Sequence, residues 1–199
     1  SVLNERDLKP LINKVDEIYH LAAAVGVKYV VDKPLYSMIN NIEGTHLVLK
    51  LAEKRKIPVL ITSTSEVYGK LDNTPFSETD DRVYGSAYNE RWGYALSKAV
   101  AEFVALAYFR DKGLPVVIVR LFNTVGPGQT GKYGMVIPRL IDQAKKNEPM
   151  TVYGSGKQIR SFGHVEDVTN ALLKLPKSNR ANGEIVNLGS NIPISINEL

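Results

Sequence analysis

Four short apolar runs alternate with long segments of helical pattern, and this alternation constrains the fold more than any other feature of the chain. The runs are EIYHLAA at 17–23, VLITS at 59–63, VVIVRLF at 116–122 and EIVNLG at 184–189. Helical patterns fill 34–55, 94–113 and 134–147. Nearly continuous apolar strands separated by helices are typical of parallel sheets that are covered on both faces. We therefore predict an α/β fold with a doubly wound, Rossmann-like parallel sheet.

Composition and charge exclude several other classes of protein. Hydrophobic residues make up 44% of the 199 residues and charged residues 23%, which is ordinary for a globular domain. Since no apolar run approaches about 18 residues, we predict no membrane partner. The net charge of +4 comes from scattered Lys and Arg residues, so we predict no nucleic-acid partner. The chain has no Cys and its three His are far apart, so we expect no metal site and a cytoplasmic location.

Small and polar residues follow three of the predicted strands. They are AAAVG at 22–26, TSTSEVYG at 62–69 and NTVGPGQTG at 123–131. In doubly wound sheets, ligands bind beyond the carboxyl ends of the strands, where these segments should converge. We therefore predict a catalytic edge there rather than three polar loops.

Tyr94 and Lys98 lie four residues apart near the start of a predicted helix, so they share one face. An ammonium near a phenol stabilises the phenolate and lowers the tyrosine pKa, which would allow Tyr94 to act as a general base. The same spacing also occurs by chance on helix surfaces. The pair gains weight from Thr64, which follows the strand facing this helix.

The motifs STSEVYG and YALSKAVAE together resemble the Ser/Thr, Tyr and Lys triad of the short-chain dehydrogenase/reductase superfamily. With VDEIYHLAA, VVIVRLFNTVGPGQ and TVYGSGKQIRSFGHVEDV in the same order, the chain resembles the NAD-dependent epimerase/dehydratase family, which acts on nucleotide sugars. The resemblance covers residues 15 to 190. It implies an NAD cofactor and a UDP-sugar substrate.

Carried over by position, the resemblance assigns the following residues. The catalytic residues are Thr64, Glu66, Tyr94 and Lys98. The NAD-binding residues are Leu21, Ala22, Ala23, Asn40, Ser63, Tyr94, Lys98, Phe122 and Thr124. The substrate-binding residues are Ser65, Glu66, Asn123, Val136, Thr151, Tyr153 and Arg160. In this scheme, Asn123 and Arg160 bind the diphosphate, and Val136, Thr151 and Tyr153 hold the uridine.

The resemblance also implies that Tyr94 takes the proton of the sugar C4 hydroxyl as hydride leaves C4. Epimerases, decarboxylases and dehydratases share the resulting 4-keto sugar. Ser65 stands where dehydratases carry an Asp, which argues against dehydration. Glu66 is compatible with UDP-glucuronate decarboxylases and with epimerases. The segment YALSK is closer to epimerases, so we predict a 4-epimerase acting on UDP-glucose or UDP-glucuronate, with UDP-glucuronate decarboxylase as the alternative.

We expect three regions along the chain. Residues 1–128 form a partial NAD-binding domain with the catalytic residues, 129–164 a substrate-binding segment, and 165–199 a mixed region that returns a strand to the sheet. The Gly-rich phosphate loop that opens the family's domain does not occur in the sequence, and about 60 residues of the usual Rossmann unit are expected to precede the chain. An inactive fragment or a non-catalytic dinucleotide- or UDP-binding module is therefore a further alternative.

The helices at 34–55 and 94–112 carry more apolar residues than one sheet face needs. These residues are Leu47, Leu51, Val100, Phe103, Val104 and Leu106. In the family that the chain resembles, the corresponding helices pair across a two-fold axis. We therefore predict a homodimer that is held by a four-helix bundle.

Overall fold

The structure of the protein, a computed structural model, describes residues 1–72, 74–131 and 135–199, and of Val27 and Lys28 the backbone. The helices are α1 Glu5–Ile12, α2 Val27–Asp32, α3 Pro34–Glu53, α4 Trp92–Lys112, α5 Val136–Lys145 and α6 Val165–Lys174. The strands are β1 Ile18–His20, β2 Val59–Thr64, β3 Val116–Leu121, β4 Asn123–Val125, β5 Ile159–His164, β6 Ile185–Leu188 and β7 Pro193–Ser195. Short 3-10 helices span Ser65–Tyr68, Leu175–Lys177 and Asn179–Ala181.

The main sheet has four parallel strands in the order β1-β2-β3-β6. This confirms the predicted doubly wound, Rossmann-like fold. The predicted strand at 17–23 is shorter than expected, because β1 is an edge strand that pairs with β2 only from Ile18 to His20. Leu21, Ala22 and Ala23 therefore lie in the loop beyond the strand rather than within it.

Apolar side chains of the central strands pack on both faces of the sheet. Val59 and Ile61 of β2 pack with α3 and α4, whereas Leu60 faces the opposite side and packs with Val168 and Leu172 of α6. Because adjacent residues of a strand point to opposite faces, a strand that is apolar at every position needs a helical layer on each side.

A second, three-stranded sheet has the order β4-β5-β7, with β4 and β5 parallel and β7 antiparallel to β5. Apolar runs do not predict these short strands, since their sequences alternate little and their residues are half exposed. The sheet carries Asn123 on β4 and Arg160 on β5. The expected boundaries between the three regions of the chain, after residues 128 and 164, stay a prediction.

Helices α3 and α4 were predicted to present apolar residues to a second copy of the chain, but several of these residues are buried within the chain itself. Leu51 is 4% exposed and belongs to the main core, and Leu47, Val104 and Leu106 pack against that core. Val100 and Phe103 remain 39% and 68% exposed. The expectation was therefore wrong for Leu51, because α3 turns this side chain toward the sheet.

Across the part of the chain that the structure describes, no helix is both long and apolar enough to cross a membrane.

Candidate active site

Thr64 is the last residue of β2, and its hydroxyl also caps the 3-10 helix that follows. The Thr64 Oγ1 atom accepts a hydrogen bond from the Glu66 N–H at 3.2 Å. Because the oxygen is used as an acceptor, the hydroxyl proton is available for another partner. Strand β2 thus ends with a hydroxyl donor at the carboxyl edge of the sheet.

Tyr94 lies in the first turn of α4 and faces this hydroxyl. Burial raises the pKa of Tyr94 to about 12, and the negative charge of Glu66 contributes to the rise. A side-chain hydrogen bond with Thr64 acts in the opposite direction and lowers the pKa. The structure therefore brings Thr64, Glu66 and Tyr94 together, as their predicted roles require.

Lys98 lies one helical turn after Tyr94 and is 3% exposed. Burial lowers the pKa of Lys98 to about 8, and the carboxylate of Glu102 works against this decrease. The expected lowering of the Tyr94 pKa by Lys98 is wrong for this structure, where the Tyr94 pKa moves upward. The physical reason is that burial of the phenol and the nearby charge of Glu66 dominate.

Glu66 stands on the 3-10 helix at the mouth of the site. Glu66 is an exposed residue of the chain, but nearby protein atoms partly desolvate its carboxyl group and raise its pKa. The positive charges of Arg91 and Arg160 lower the pKa again. Since Arg160 lies on β5, its electrostatic interaction with Glu66 links the small sheet to the catalytic edge.

The loop after β1 is held by Asn41, which is 1% exposed. The Ala24 N–H donates to Asn41 Oδ1 at 2.7 Å, and Asn41 Nδ2 donates to the Ala24 carbonyl at 3.2 Å. Asn41 Nδ2 also donates to Ser97 Oγ at 3.1 Å, and Ser97 Oγ donates to the Tyr94 carbonyl at 2.8 Å. Asn41 therefore connects the loop to the Tyr94 turn. The residue predicted from the sequence, Asn40, is half-buried one position earlier, and its cofactor contact stays a prediction.

The residues beyond β1 that were predicted to bind NAD form a small, largely apolar surface. Leu21 is 52% exposed although it is apolar, and Ala22 and Ala23 present small side chains beside it. Phe122 is half-buried at the end of β3, where its ring packs against Phe76 with centroids 6.5 Å apart. Small and apolar side chains of this kind suit contact with the flat, partly apolar rings of NAD, and this contact stays a prediction.

Two of the remaining predicted residues belong to the second sheet and its surroundings. Asn123 is exposed on β4, and its Nδ2 donates to the Ser161 carbonyl at 3.0 Å. Thr124 Oγ1 donates weakly to the Phe122 carbonyl at 3.4 Å.

The two predicted serines lie on either side of Thr64. Ser63 is buried and its hydroxyl donates to Glu102, whereas Ser65 is half-buried on the 3-10 helix. The substrate contacts assigned to Asn123 and Ser65 stay predictions.

Val136 lies on α5, and Thr151 and Tyr153 contact that helix from the segment that follows it. Val136 begins α5, Thr151 Oγ1 accepts from Gln143 Nε2 at 2.8 Å, and the Arg139 guanidinium lies 4.4 Å from the centre of the Tyr153 ring. These contacts form a small polar and aromatic patch on α5. The uridine contacts assigned to this patch stay predictions.

A buried ion pair beneath the site was missed by the sequence analysis. Glu102 on α4 and Arg120 on β3 are each 1% exposed, and Arg120 Nη2 lies 2.9 Å from Glu102 Oε2. Two signals could have revealed the pair. An Arg stands inside the apolar run VVIVRLF, which requires a buried counter-charge, and Glu102 continues the spacing of four that joins Tyr94 and Lys98.

Comparisons with known proteins agree with this geometry. The sequence profile of the NAD dependent epimerase/dehydratase family matches residues 1–189. The whole chain is 43% identical to UDP-N-acetyl-alpha-D-glucosaminuronate decarboxylase of Bacillus cytotoxicus. It is 37% identical, over 96% of its length, to UDP-glucuronic acid decarboxylase 1 of Xenopus tropicalis. The chain spans 61% and 44% of these two relatives.

Among solved structures, UDP-glucuronic acid 4-epimerase from Bacillus cereus, in complex with UDP-glucuronic acid and NAD, superimposes with a TM-score of 0.87. The match covers the whole chain and 61% of that structure, at 29% identity. The expected family and its dependence on NAD are therefore confirmed. The chain belongs to the NAD-dependent epimerase/dehydratase family.

Proposed function

We propose that the protein is an NAD-dependent decarboxylase of UDP-uronic acids, a class that includes UDP-glucuronate and its 2-acetamido analogue. One observation carries the proposal. Glu66 lies beside Tyr94 at the catalytic edge, and desolvation favours its protonated form. A protonated carboxyl group can lie close to a substrate carboxylate without repelling it, and it can also donate a proton.

The chain supplies the groups for the first step. Tyr94 must reach its phenolate form to take the proton of the C4 hydroxyl, and the positive charges of Lys98 and of a bound nicotinamide would favour that form against burial. Thr64 orients the phenol through its hydrogen bond. Lys98 carries the positive charge next to Tyr94 and can bond the hydroxyls of a ribose. A bound NAD would supply the acceptor for the hydride of C4, and Lys98 together with the loop beyond β1 would hold it.

The second step follows from the chemistry of the oxidised sugar. A ketone at C4 makes the carboxylate on C5 a β-keto acid, whose C5–C6 bond breaks with release of CO₂ while the electron pair moves toward the C4 oxygen. Tyr94 can return its proton to that oxygen, and Glu66 can protonate C5. The sugar finally regains its hydride at C4, so the overall reaction is redox-neutral and yields a UDP-pentose and CO₂.

The epimerase prediction remains the second candidate, because it needs the same C4 oxidation and the same Thr64, Tyr94 and Lys98. The segment YALSK and the structural similarity to a UDP-glucuronic acid 4-epimerase support it. The decarboxylase is favoured because both curated relatives, at 43% and 37% identity, are decarboxylases of UDP-uronic acids. The relative at 43% identity acts on an N-acetylated sugar, so the test includes both UDP-glucuronate and UDP-N-acetylglucosaminuronate.

Product analysis separates the two reactions. We expect full-length protein with NAD to convert UDP-glucuronate or UDP-N-acetylglucosaminuronate into the corresponding UDP-pentose with one equivalent of CO₂, measured by mass spectrometry and CO₂ capture. UDP-glucose should remain unchanged. A UDP-uronic acid that is epimerised at C4 with its carboxylate intact, or conversion of UDP-glucose, would replace the decarboxylase by the epimerase.

The variant Glu66→Gln examines the proton donor within the same assay. It should lower CO₂ release about 10²-fold, because an amide cannot protonate C5. Glu148→Gln, at an exposed position on the surface, serves as the control and should leave the rate unchanged. Full CO₂ release by Glu66→Gln would remove Glu66 from the catalytic residues.

We also propose the homodimer, on the exposed apolar surface that α3 and α4 retain. Leu35, Tyr36 and Phe103 are 72%, 50% and 68% exposed. Phe103→Glu should convert a dimer into a monomer in light scattering, because a charge cannot be buried unpaired between helices. Leu173→Glu, with a half-exposed Leu on α6, is the control. A monomeric wild-type protein would refute the dimer.

The cytoplasmic location stays a prediction.

A further inference from the structure

The 3-10 helix that carries Glu66 binds both backbone groups of that residue. The Glu66 N–H donates to Thr64 Oγ1 at 3.2 Å, and the Gly69 N–H donates to the Glu66 carbonyl at 3.0 Å. The helix is only four residues long, from Ser65 to Tyr68. So short a helix does not hold its position by its own hydrogen bonds, because each one fixes several dihedral angles. Contacts of its buried residues must therefore set where Glu66 lies.

Tyr68, the last residue of this helix, makes such contacts through its hydroxyl group. The side chain is completely buried, at 0% exposure. Arg120 Nη1 donates to the Tyr68 hydroxyl oxygen at 2.7 Å, and the hydroxyl donates to Asn187 Oδ1 at 2.8 Å. The hydroxyl thus both accepts and donates a hydrogen bond, and it connects the 3-10 helix to β3 and β6.

The Tyr68 ring makes a second, separate set of contacts. It stacks on Phe76 with centroids 4.4 Å apart and an angle of 15° between the rings. The Arg120 guanidinium carbon lies 4.8 Å from the centre of the Tyr68 ring. Since these contacts do not involve the hydroxyl, Tyr68→Phe removes the two hydrogen bonds and keeps the stacking.

Both partners of the hydroxyl are themselves fixed. Arg120 donates from Nε to Glu102 Oε1 at 3.1 Å and from Nη2 to Glu102 Oε2 at 2.9 Å, and both residues are 1% exposed. Asn187 Nδ2 donates to the Phe76 carbonyl at 3.1 Å, and the Asn187 N–H donates to Glu78 Oε1 at 2.7 Å. Neither partner can therefore follow Tyr68 if the 3-10 helix tilts.

Stability alone does not account for this buried polar network. A buried ion pair loses much of its electrostatic gain to desolvation, and well-packed apolar residues often stabilise a fold equally well or better. Hydrogen bonds, however, are directional, so a fully bonded network favours a single arrangement of the elements that it joins. The elements joined here are β3, β6, α4 and the helix that carries Glu66.

This arrangement affects Glu66 more than the other catalytic residues. Thr64 belongs to β2, and Tyr94 and Lys98 belong to α4, so long elements hold all three. Glu66 lies on the short helix, two residues before Tyr68. A tilt of that helix would move Glu66 and leave the groups for C4 oxidation in place.

We propose that Tyr68 is a positioning residue of the active site, whose hydroxyl fixes the 3-10 helix so that Glu66 faces the sugar carbon that loses CO₂. The inference rests on the proposed function, because Glu66 protonates C5 only in a decarboxylase. Oxidation at C4 does not use Glu66. The two steps of the reaction should therefore respond differently to loss of the hydroxyl.

The test is a single turnover of full-length protein with NAD and UDP-glucuronate. The absorbance of NADH measures C4 oxidation, and captured CO₂ measures cleavage of the C5–C6 bond. Tyr68→Phe should release CO₂ about tenfold more slowly, the effect that loss of one hydrogen bond has on a rate. NADH formation should stay within about twofold of the wild-type rate, so that NADH accumulates.

Tyr108→Phe is the matched control. Tyr108 is a partly buried tyrosine near the C-terminal end of α4, the end opposite to Tyr94, and the variant loses the same single oxygen atom. Both rates should remain unchanged in it. If NADH formation and CO₂ release fall in parallel in Tyr68→Phe, or if CO₂ release is unchanged, then Tyr68 has a structural role alone and the proposal is refuted.

Amide hydrogen exchange at Gly69 provides a second measurement, which needs no turnover. The Gly69 N–H closes the 3-10 helix on the Glu66 carbonyl, so its exchange should become about tenfold faster in Tyr68→Phe. The Ile61 amide, within β2, should exchange as in the wild type. Equal Gly69 exchange in both proteins would overturn the proposal. If the wild-type protein releases no CO₂, the decarboxylase function fails, and Gly69 exchange still decides whether Tyr68 fixes the Glu66 helix.

Asn187→Ala covers the case in which Tyr68→Phe does not fold. It removes the acceptor of the Tyr68 hydroxyl at a half-buried position of β6 and leaves Tyr68 itself intact. The variant should show slower CO₂ release, ordinary NADH formation and faster Gly69 exchange. Unchanged CO₂ release and unchanged Gly69 exchange in this variant would contradict the positioning role.

Discussion

Tyr94→Phe is expected to lower kcat/KM for the UDP-sugar about 10³-fold, the middle of the range for loss of a general acid–base group. The phenol oxygen is the atom that Thr64 orients and that exchanges the proton with the C4 hydroxyl. Phenylalanine keeps the ring and its packing in the first turn of α4. The loss should therefore fall on the chemical step.

The measurement is steady-state kinetics at several pH values, together with the free energy of unfolding of each variant. Tyr94→Phe should change stability by about 1 kcal/mol or less, since one partly buried hydroxyl and its hydrogen bond are lost. Tyr88→Phe is the matched control, because the Tyr88 side chain is 99% exposed, and it should be fully active. A Tyr94→Phe variant that kept a tenth or more of the activity would show that another group moves the proton.

Lys98→Met is expected to abolish turnover and yet to stabilise the protein at pH 7. Burial lowers the Lys98 pKa from 10.5 to about 8, so the folded state holds a charge that water would solvate better. Removing this charge should raise the free energy of unfolding by on the order of 3 kcal/mol at pH 7. Glu102 keeps two guanidinium partners in the variant, so no carboxylate is left unpaired.

The pH dependence of this gain follows from the direction of the shift. Between about pH 8 and pH 10.5, the unfolded state binds more protons at Lys98 than the folded state does, so the stability of the wild-type protein rises with pH. The advantage of Lys98→Met is therefore complete below about pH 8 and disappears above pH 10.5.

Urea unfolding at pH 7 and pH 10.5 measures this difference. Lys174→Met, at an exposed position in the last turn of α6, is the control and should change stability little at either pH. If Lys98→Met were equally stable or less stable than the wild type at pH 7, the attraction between Lys98 and Glu102 would outweigh the cost of burial. That outcome would contradict the lowered pKa.

Sequence patterns were sufficient for the sheet and for the residues at its edge. Val59, Leu60 and Ile61 are apolar in succession, which predicts a strand that is covered on both faces, and the structure confirms it. Thr64, Tyr94 and Lys98 were recognised because a strand end and a helix turn have fixed local geometry. The sequence pattern did not show whether Asn40 or Asn41 faces the loop after β1, because both residues are Asn. The distinction matters, since adjacent residues of a helix point in directions about 100° apart.

The sequence by itself determined the fold class and the family, and it predicted the catalytic side chains, because these depend on periodicity and on motifs of a few residues. Only the tertiary structure decided the state of those side chains. The pKa of Tyr94 rises rather than falls because burial and the charge of Glu66 outweigh the hydrogen bond with Thr64, which lowers it. Likewise, Glu102 and Arg120 are 18 residues apart in the chain, and packing of α4 on β3 brings their charges together. Desolvation and long-range contacts of this kind depend on the folded surroundings, which local sequence does not encode.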